Sequence, residues 1–283
     1  MKIKQNKKQL LVLGMLLVGI LVLSGCARAG GMEPITADST GIWDRLLYTL
    51  SQIIIWLSGV FGNSYGMGII VFTILARLLL TPLYSLQMKN TEKMQKMQPE
   101  LRALQEKYAS RDAETQQKLQ EETAKLQEKY DTNQFAGCLP LLIQLPILTA
   151  LYQAISRTEA LTNGHFLWME LGKPDPYFIL PIIAAVSIWY STHLSQVASG
   201  IKSGSMTAMQ YVMPVFIFFV MMNLPSALAL YMATANVFTI GQTLLINNPY
   251  QKQRVRQEEE AKEKDLERRL EKARRNPRGK KRK

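Results

Sequence analysis

Among the residues able to do chemistry, one arginine stands apart. Arg77 lies eleven positions into the run GMGIIVFTILARLLLTPLYSLQ, which starts at Gly66. At helical rise that is on the order of 16 Å from the helix start. An arginine at the centre of a membrane helix costs about 2.5–3.5 kcal/mol on insertion scales, so it needs water or a polar partner. The apolar runs of this chain contain no Asp or Glu to pair with it. Two arrangements meet the need: a water-filled cavity carrying a net positive charge, or a side chain that snorkels to the headgroups past Pro82. Thr73 one turn earlier, with Gln144, Ser191, Thr192, Asn236 and Gln242 in other apolar runs, favours the cavity. Each of these alone also reads as a helix-packing hydrogen bond.

The remaining reactive types exclude most enzyme classes. Two Cys and two His are too few for a structural zinc site or a disulfide scaffold. There is no HExxH, no P-loop glycine pattern and no Ser/His/Asp set at plausible depth. His193 reads as an interfacial side chain rather than a base. The expectation is a chain that is not an enzyme and needs no cofactor.

The elements that must position Arg77 emerge from how the charge is segregated. The chain has 283 residues, a net charge of +12 and a mean hydropathy of −0.03, averages that suit a basic soluble protein. Yet of 34 Lys and Arg, four precede residue 10, nine lie in 83–134 and fifteen follow residue 246, leaving six for everything else. Apolar stretches at 66–86, 135–155, 177–194, 208–224 and 226–246 approach the roughly 20 residues a membrane helix requires. Ile42–Val60 differs. Ile42, Trp43, Leu46, Leu47, Leu50, Ile53, Ile54 and Leu57 follow a helical period, with Asp44, Arg45, Thr49, Ser51 and Gln52 opposite. That pattern predicts an amphipathic helix lying in the interface.

Residues 1–26 have the form of an export signal, with four lysines, an apolar run from Leu10 to Leu23, and Leu23-Ser24-Gly25-Cys26. The last four residues resemble a bacterial lipobox, which implies that residues 1–25 are a lipoprotein signal peptide and that Cys26 is lipidated. The alternative is an uncleaved signal anchor. Lipidation places residue 27 outside the cytoplasm. Five spans then put 87–134, 195–207 and the tail inside with nearly all the Lys and Arg, as the positive-inside rule requires, whereas six would invert the bias.

The cytoplasmic parts follow from periodicity. Met94, Met97, Leu101, Leu104 and Tyr108 form one stripe and Leu119, Leu126 and Tyr130 another, separated by Ser110-Arg111-Asp112. Two antiparallel helices are predicted over 87–134. Met88, Met94 and Met97 either pack this hairpin or offer a flexible apolar binding surface. In the tail, Glu258–Lys262, Glu260–Lys264, Asp265–Arg269 and Glu271–Arg275 predict a solvated helix. It ends in a block containing Arg274, Arg275, Arg278, Lys280, Lys281, Arg282 and Lys283 with no acid. Such a block contacts phosphates, either of ribosomal RNA or of anionic lipid.

Taken together, the segments ARLLLTPLYSLQMK (76–89), MQPEL (97–101), GCLPLLIQLPI (137–147) and NLPSALALYMATANVFTIGQ (223–242) resemble the YidC family of membrane protein insertases, within the Oxa superfamily, in its Gram-positive lipoprotein form. The resemblance implies an all-α membrane protein: five transmembrane helices around a cytoplasm-open hydrophilic groove, an N-terminal interfacial helix and a cytoplasmic helical hairpin. The implied boundaries are 26–60 for the extracellular lipid-anchored segment, 61–86 for the first span, 87–134 for the hairpin, 135–246 for spans two to five and 247–283 for the basic tail. The implied site is a substrate groove of Arg77, Thr73, Gln144, Pro146, Ser191, Tyr231, Met232 and Asn236. Met232 departs from the family, whose members often carry an aromatic there. The implied partners are nascent membrane proteins, the ribosome, the Sec translocon and the lipid bilayer of a Gram-positive cell membrane. Competing classes are a small-anion channel or transporter, and a ribosome tether whose spans only anchor the tail.

Overall fold

The computed structural model describes residues 33–39, 41–110, 112–132, 139–199, 204–246 and 248–275. The signal segment, Cys26, Arg278 and Lys280, Lys281, Arg282 and Lys283 lie outside the described residues.

Helix α1 (Ile42–Val60) begins the described fold and α2 (Tyr65–Leu79) follows at a bend of 114°. Gly62 and Asn63 make the reversal by adopting left-handed backbone angles in succession (φ 67° and 61°). The two helices are held close at Gly68. A β-carbon there would fall 2.1 Å from Ser58 Oγ and 2.7 Å from the Ile54 carbonyl oxygen.

Helix α1 carries one broad apolar face, and the core covers only one edge of it. Leu47, Ile54 and Leu57 are buried, and Ser51 and Ser58 are buried with them. Their hydroxyls donate to the Tyr48 and Ile54 carbonyls, which allows two serines to sit on the core side. Ile42, Leu46, Ile53, Trp56 and Val60 form a separate exposed row. Asp44, assigned by sequence to the water face, instead pairs at 2.6 Å with Arg157, which also donates to the Glu33 carbonyl. Trp43 donates to Gln153 Oε1 at 3.0 Å. These contacts lay α1 across the end of a later helix.

The apolar run at 66–86 is not one helix. It breaks at Leu80, between α2 and α3 (Thr81–Lys107), which continues into the polar region. The cause is Pro82, in the first turn of α3, which has no N–H to give to the preceding turn. Helix α4 (Ala113–Lys129) returns antiparallel to α3. The hairpin closes through buried Met97 and Leu126, with Lys129 and Tyr130 both bonded to Glu100. Those contacts hold the Glu100 carboxyl below its usual range, the lysine hydrogen bond being the larger cause. Asp112 caps α4, and the Ser110 hydroxyl with the Thr115 amide lowers its pKa to about 2.

Four more long helices follow: α5 (Leu139–Ser156), α7 (Ile179–Ser199), α8 (Gly204–Met221) and α9 (Ser226–Ile246). Between α5 and α7 lie the short α6 (Glu159–Thr162) and a two-stranded hairpin, β1 (His165–Phe166) with β2 (Met169–Glu170). Helix α10 (Pro249–Arg275) is the tail, with the pairs Asp265–Arg269 and Glu271–Arg275 closed. Among the described helices, Ser226–Ile246 alone is long and apolar enough to cross a bilayer. Ile143–Ser156 and Gln210–Met221 are shorter apolar stretches.

The core is not spread evenly along the helices. Ile54, Ile69, Leu151, Ile155, Leu161, Met169, Leu171, Leu180, Ala184, Met221 and residues 227–231 bury one another in one cluster. All sit at the end where α5 leads to α7 and α8 leads to α9. Backbone bonds lock that end: Ser226 N and Ala227 N donate to the Lys173 and Leu171 carbonyls. The 1%-exposed carboxylate of Asp175 accepts from the Trp168 indole at 2.9 Å and from the amides of Tyr177 and Leu180. Replacing Asp175 by Ala orphans all three donors. At about 1.5–3 kcal/mol per bond to a charged group, with partial recovery by water, the expected cost is about 3 kcal/mol. A lowered unfolding midpoint in detergent, partly restored in Asp175→Asn, checks it.

Candidate functional site: the half of the bundle beyond the core

The packed cluster stops near Thr73 on α2 and Ala235 on α9. At its margin, which Tyr231 marks, and beyond it, the interior carries polar groups. Gln144 on α5 donates to the Tyr231 hydroxyl at 3.1 Å and approaches the Met232 sulfur at 3.7 Å, so three of the expected groove residues meet. Pro146 lies within the same helix. Asn236, on the next turns of α9, has a buried amide nitrogen with no partner among the described residues.

Thr73 is fully buried and its hydroxyl donates to the Ile69 carbonyl at 2.6 Å. It floors the region rather than presenting a free donor. Arg77 stands one turn further on, half-buried in the last turn of α2, with no ion pair or side-chain hydrogen bond among the described residues. Leu75, Leu78 and Leu79 around it are exposed on the outside of the helix.

A polar relay, of which the sequence pointed to Gln242 but not to Thr81, Tyr84 or Thr243, fixes the helix end carrying Arg77. Gln242 donates to Thr81 Oγ1 at 3.0 Å, and Thr81 donates to the Arg77 carbonyl at 3.1 Å. One turn on, the hydroxyls of Tyr84 and Thr243 meet at 3.0 Å. The signal available was a Thr-Pro pair at a helix break facing a Gln-Thr pair on a late helix.

Ser191 is placed elsewhere, in a cavity of about 870 Å³ bounded by α3, α7, α9 and α10 and shared with Met88, Thr243 and Lys252. Lys252 pairs with Glu92 at its edge, and Arg256 donates to the Ala198 carbonyl. Met88 thus faces a cavity while Met97 packs the hairpin, which divides the methionines between the two roles open to them. His193 stacks on Trp189 with centroids 5.7 Å apart and lies 3.4 Å from Gln210, so it is engaged in packing. Arg274 and Arg275 end α10, far along a solvated helix.

The sequence profile of the family described as 60Kd inner membrane protein matches residues 56–254. The membrane protein insertase YidC 2 of Listeria innocua serovar 6a is 48% identical over 256 residues, covering 90% of this chain and 88% of that protein. The chain belongs to the YidC insertase family. YidC of Enterococcus faecalis is 46% identical over 271 residues, 95% of this chain and 96% of its own. YidC 2 of Lactiplantibacillus plantarum is 51% identical over 260 residues, with 92% and 91% covered. A crystal structure of an active YidC insertase with its first transmembrane domain resolved matches with a TM-score of 0.57 at 30% identity over 72% of this chain. The chain spans about half, 47%, of the length of that solved protein. The family is one of bacterial membrane insertases, and the helical fold agrees with the YidC fold.

Proposed function

We propose that this protein inserts and helps fold integral membrane proteins by drawing hydrophilic substrate segments partway into the bilayer, toward Arg77. The observation that carries the reading is the uneven core. The end bearing Asp175 and the 157–178 loops is packed and bonded, Tyr231 and its partner Gln144 sit at the margin of that cluster, and Arg77, without a partner among the described residues, and Asn236 lie beyond it. A hollow closed at one end and wetted from the other lowers the cost of bringing a polar tail inward. Arg77 draws acidic tails by Coulomb attraction, and its place in the last turn of α2 suits a cation. Transfer of the substrate's apolar helix into lipid, worth roughly 25 cal/mol per Å² of apolar surface, drives the step without nucleotide. The work is binding and release rather than covalent chemistry.

In this reading, five spans (α2, α5, α7, α8 and α9) surround a groove that opens to the cytoplasm, with α1 in the outer interface. The hairpin and tail are cytoplasmic, and Cys26 carries the lipid on the outer face. Thr73 and Pro146 shape the wall behind Arg77, while Tyr231 and Met232 offer the apolar contact. The basic tail meets a docked ribosome, and the insertase works alone or beside the Sec translocon.

Reconstitution into liposomes with a protease-protection readout tests this directly. A single-span substrate with a short acidic tail becomes protected in vesicles containing the protein and stays digestible in empty ones. Equal protection in both rejects the function. Deleting residues 250–283 should reduce insertion of ribosome-delivered substrates partially; complete loss for every substrate would favour the tether.

A further inference from the structure

The β1–β2 hairpin breaks a local rule. His165 pairs with Glu170 and Phe166 with Met169, leaving Leu167 and Trp168 as a two-residue turn. Such turns are made by Gly, Asn or Asp, because a central residue must take positive φ. Here Leu167 takes it, at φ 52°, where its Cβ crowds the neighbouring carbonyl. Phe178 does the same at φ 57° in the strand-to-helix connection. Both are large, apolar and outward-facing, Leu167 being 73% exposed. Large apolar side chains exposed together in this way do not suit water.

The surroundings explain the exception. Trp168 keeps its indole N–H on Asp175, so its polar atom is satisfied while its ring remains partly exposed. Asp175 also bonds the Tyr177 amide, bringing Tyr177 and Phe178 beside the turn tip. Phe166 lies against Gly66 at the start of α2, which joins the hairpin to the α1–α2 bend. There the exposed apolar row of α1 ends in Trp56, Val60 and Phe61. Lys173 and Glu170 neutralise each other at 2.6 Å, leaving no unpaired charge of theirs beside the tip.

We infer that the Leu167–Trp168 turn is a lipid-binding wedge that enters the headgroup–acyl boundary together with Tyr177 and Phe178, continuing the apolar row of α1 along one end of the bundle. Trp and Tyr with one polar atom satisfied and an apolar body exposed are the side chains that favour this boundary. The occupant is lipid because the patch is aromatic and apolar and adjoins, through Phe166 against Gly66, the exposed apolar row of α1. The wedge holds the α5–α7 connection at the bilayer surface, independently of whether the Arg77 region moves substrates.

The chain has four tryptophans, so Trp43→Phe, Trp56→Phe and Trp189→Phe together leave Trp168 as the sole indole. The full chain is placed in phosphatidylcholine–phosphatidylglycerol vesicles whose acyl chains are brominated near the headgroup or near the bilayer centre. Trp168 emission should be blue-shifted, quenched more by the shallow bromines than by the deep ones, and insensitive to aqueous iodide. Quenching by iodide without quenching by bromolipid overturns the inference. Protection from both also overturns it, since a second copy or another protein would then cover the tip. Trp43 holds Gln153, so the same quenchers are also applied to an environment-sensitive fluorophore on Leu167→Cys in a Cys26→Ala, Cys138→Ser background retaining every tryptophan. Iodide access there likewise rejects the wedge.

Discussion

Arg77→Ala should cut insertion of substrates with acidic translocated tails by on the order of tenfold, while leaving substrates with uncharged tails nearly unaffected. The size follows from Coulomb attraction. Two unit charges 6 Å apart in an effective dielectric of about 40, between protein interior and water, attract by roughly 1.4 kcal/mol, a factor of about ten. The charge rather than the guanidinium fork sets the effect, because no carboxylate among the described residues engages Arg77 in a bidentate pair. Arg77→Lys should therefore keep most of the activity, and Arg77→Glu should invert the preference toward basic tails. Initial rates of protease protection in liposomes, compared between acidic and neutral tails, measure this. An equal loss for both tails would mean that Arg77 supports the fold rather than the substrate.

Gly68→Val should be among the most destabilising single substitutions in the chain. A β-carbon at Gly68 overlaps Ser58 Oγ at 2.1 Å and also meets the Ile54 carbonyl at 2.7 Å, a backbone atom that cannot rotate away. Overpacking a tight contact costs about 1–3 kcal/mol, and valine's branches place it at or above the upper end. Helix α1 would have to lift from α2, which also breaks the burial of Ile54 and Ile69. Gly241 on α9 is the control: nothing lies within 4 Å of a β-carbon there. Gly241→Ala should be neutral or stabilise by about 0.5–1 kcal/mol through backbone entropy. Unfolding midpoints of the two variants in detergent should diverge in sign. Equal midpoints would show that the α1–α2 elbow opens freely.

Much of this architecture was legible because it rests on long periodic segments. The α1 period, the two hairpin stripes and the paired charges of the tail each extend over several turns, and each formed a helix. What escaped the sequence was set by short or distant contacts. Ser51 and Ser58 look polar, yet their hydroxyls turn back onto their own helix and leave them free to face the core. Asp44 looks solvated until Arg157, 113 positions away, closes on it. The break at Leu80 was signalled by Pro82, but a continuous apolar run through Leu86 masked it. The β1–β2 hairpin gave no turn signal at all, since Leu-Trp stands where Asn-Gly is expected.

Some of the contacts around the proposed groove were legible for the same reason. Gln144, Tyr231 and Met232 meet because two long helices carry them at matching depth, whereas Ser191 lies in the separate cavity at the hairpin root. The relay from Gln242 through Thr81 to the Arg77 carbonyl depends on where α3 restarts after its proline, which no periodicity encodes.

The proposed mechanism requires that position 77 be wet and that its positive charge matter. Arg77→Cys in a Cys138→Ser background, treated from the cytoplasmic side with a membrane-impermeant thiol reagent and separately with one that attaches an aminoethyl group, tests both at once. Rapid modification from the aqueous phase is expected, with the aminoethyl adduct restoring insertion of the acidic-tail substrate. A thiol that stays unreactive in the folded protein, or a restored charge that leaves insertion as impaired as in Arg77→Ala, would contradict it.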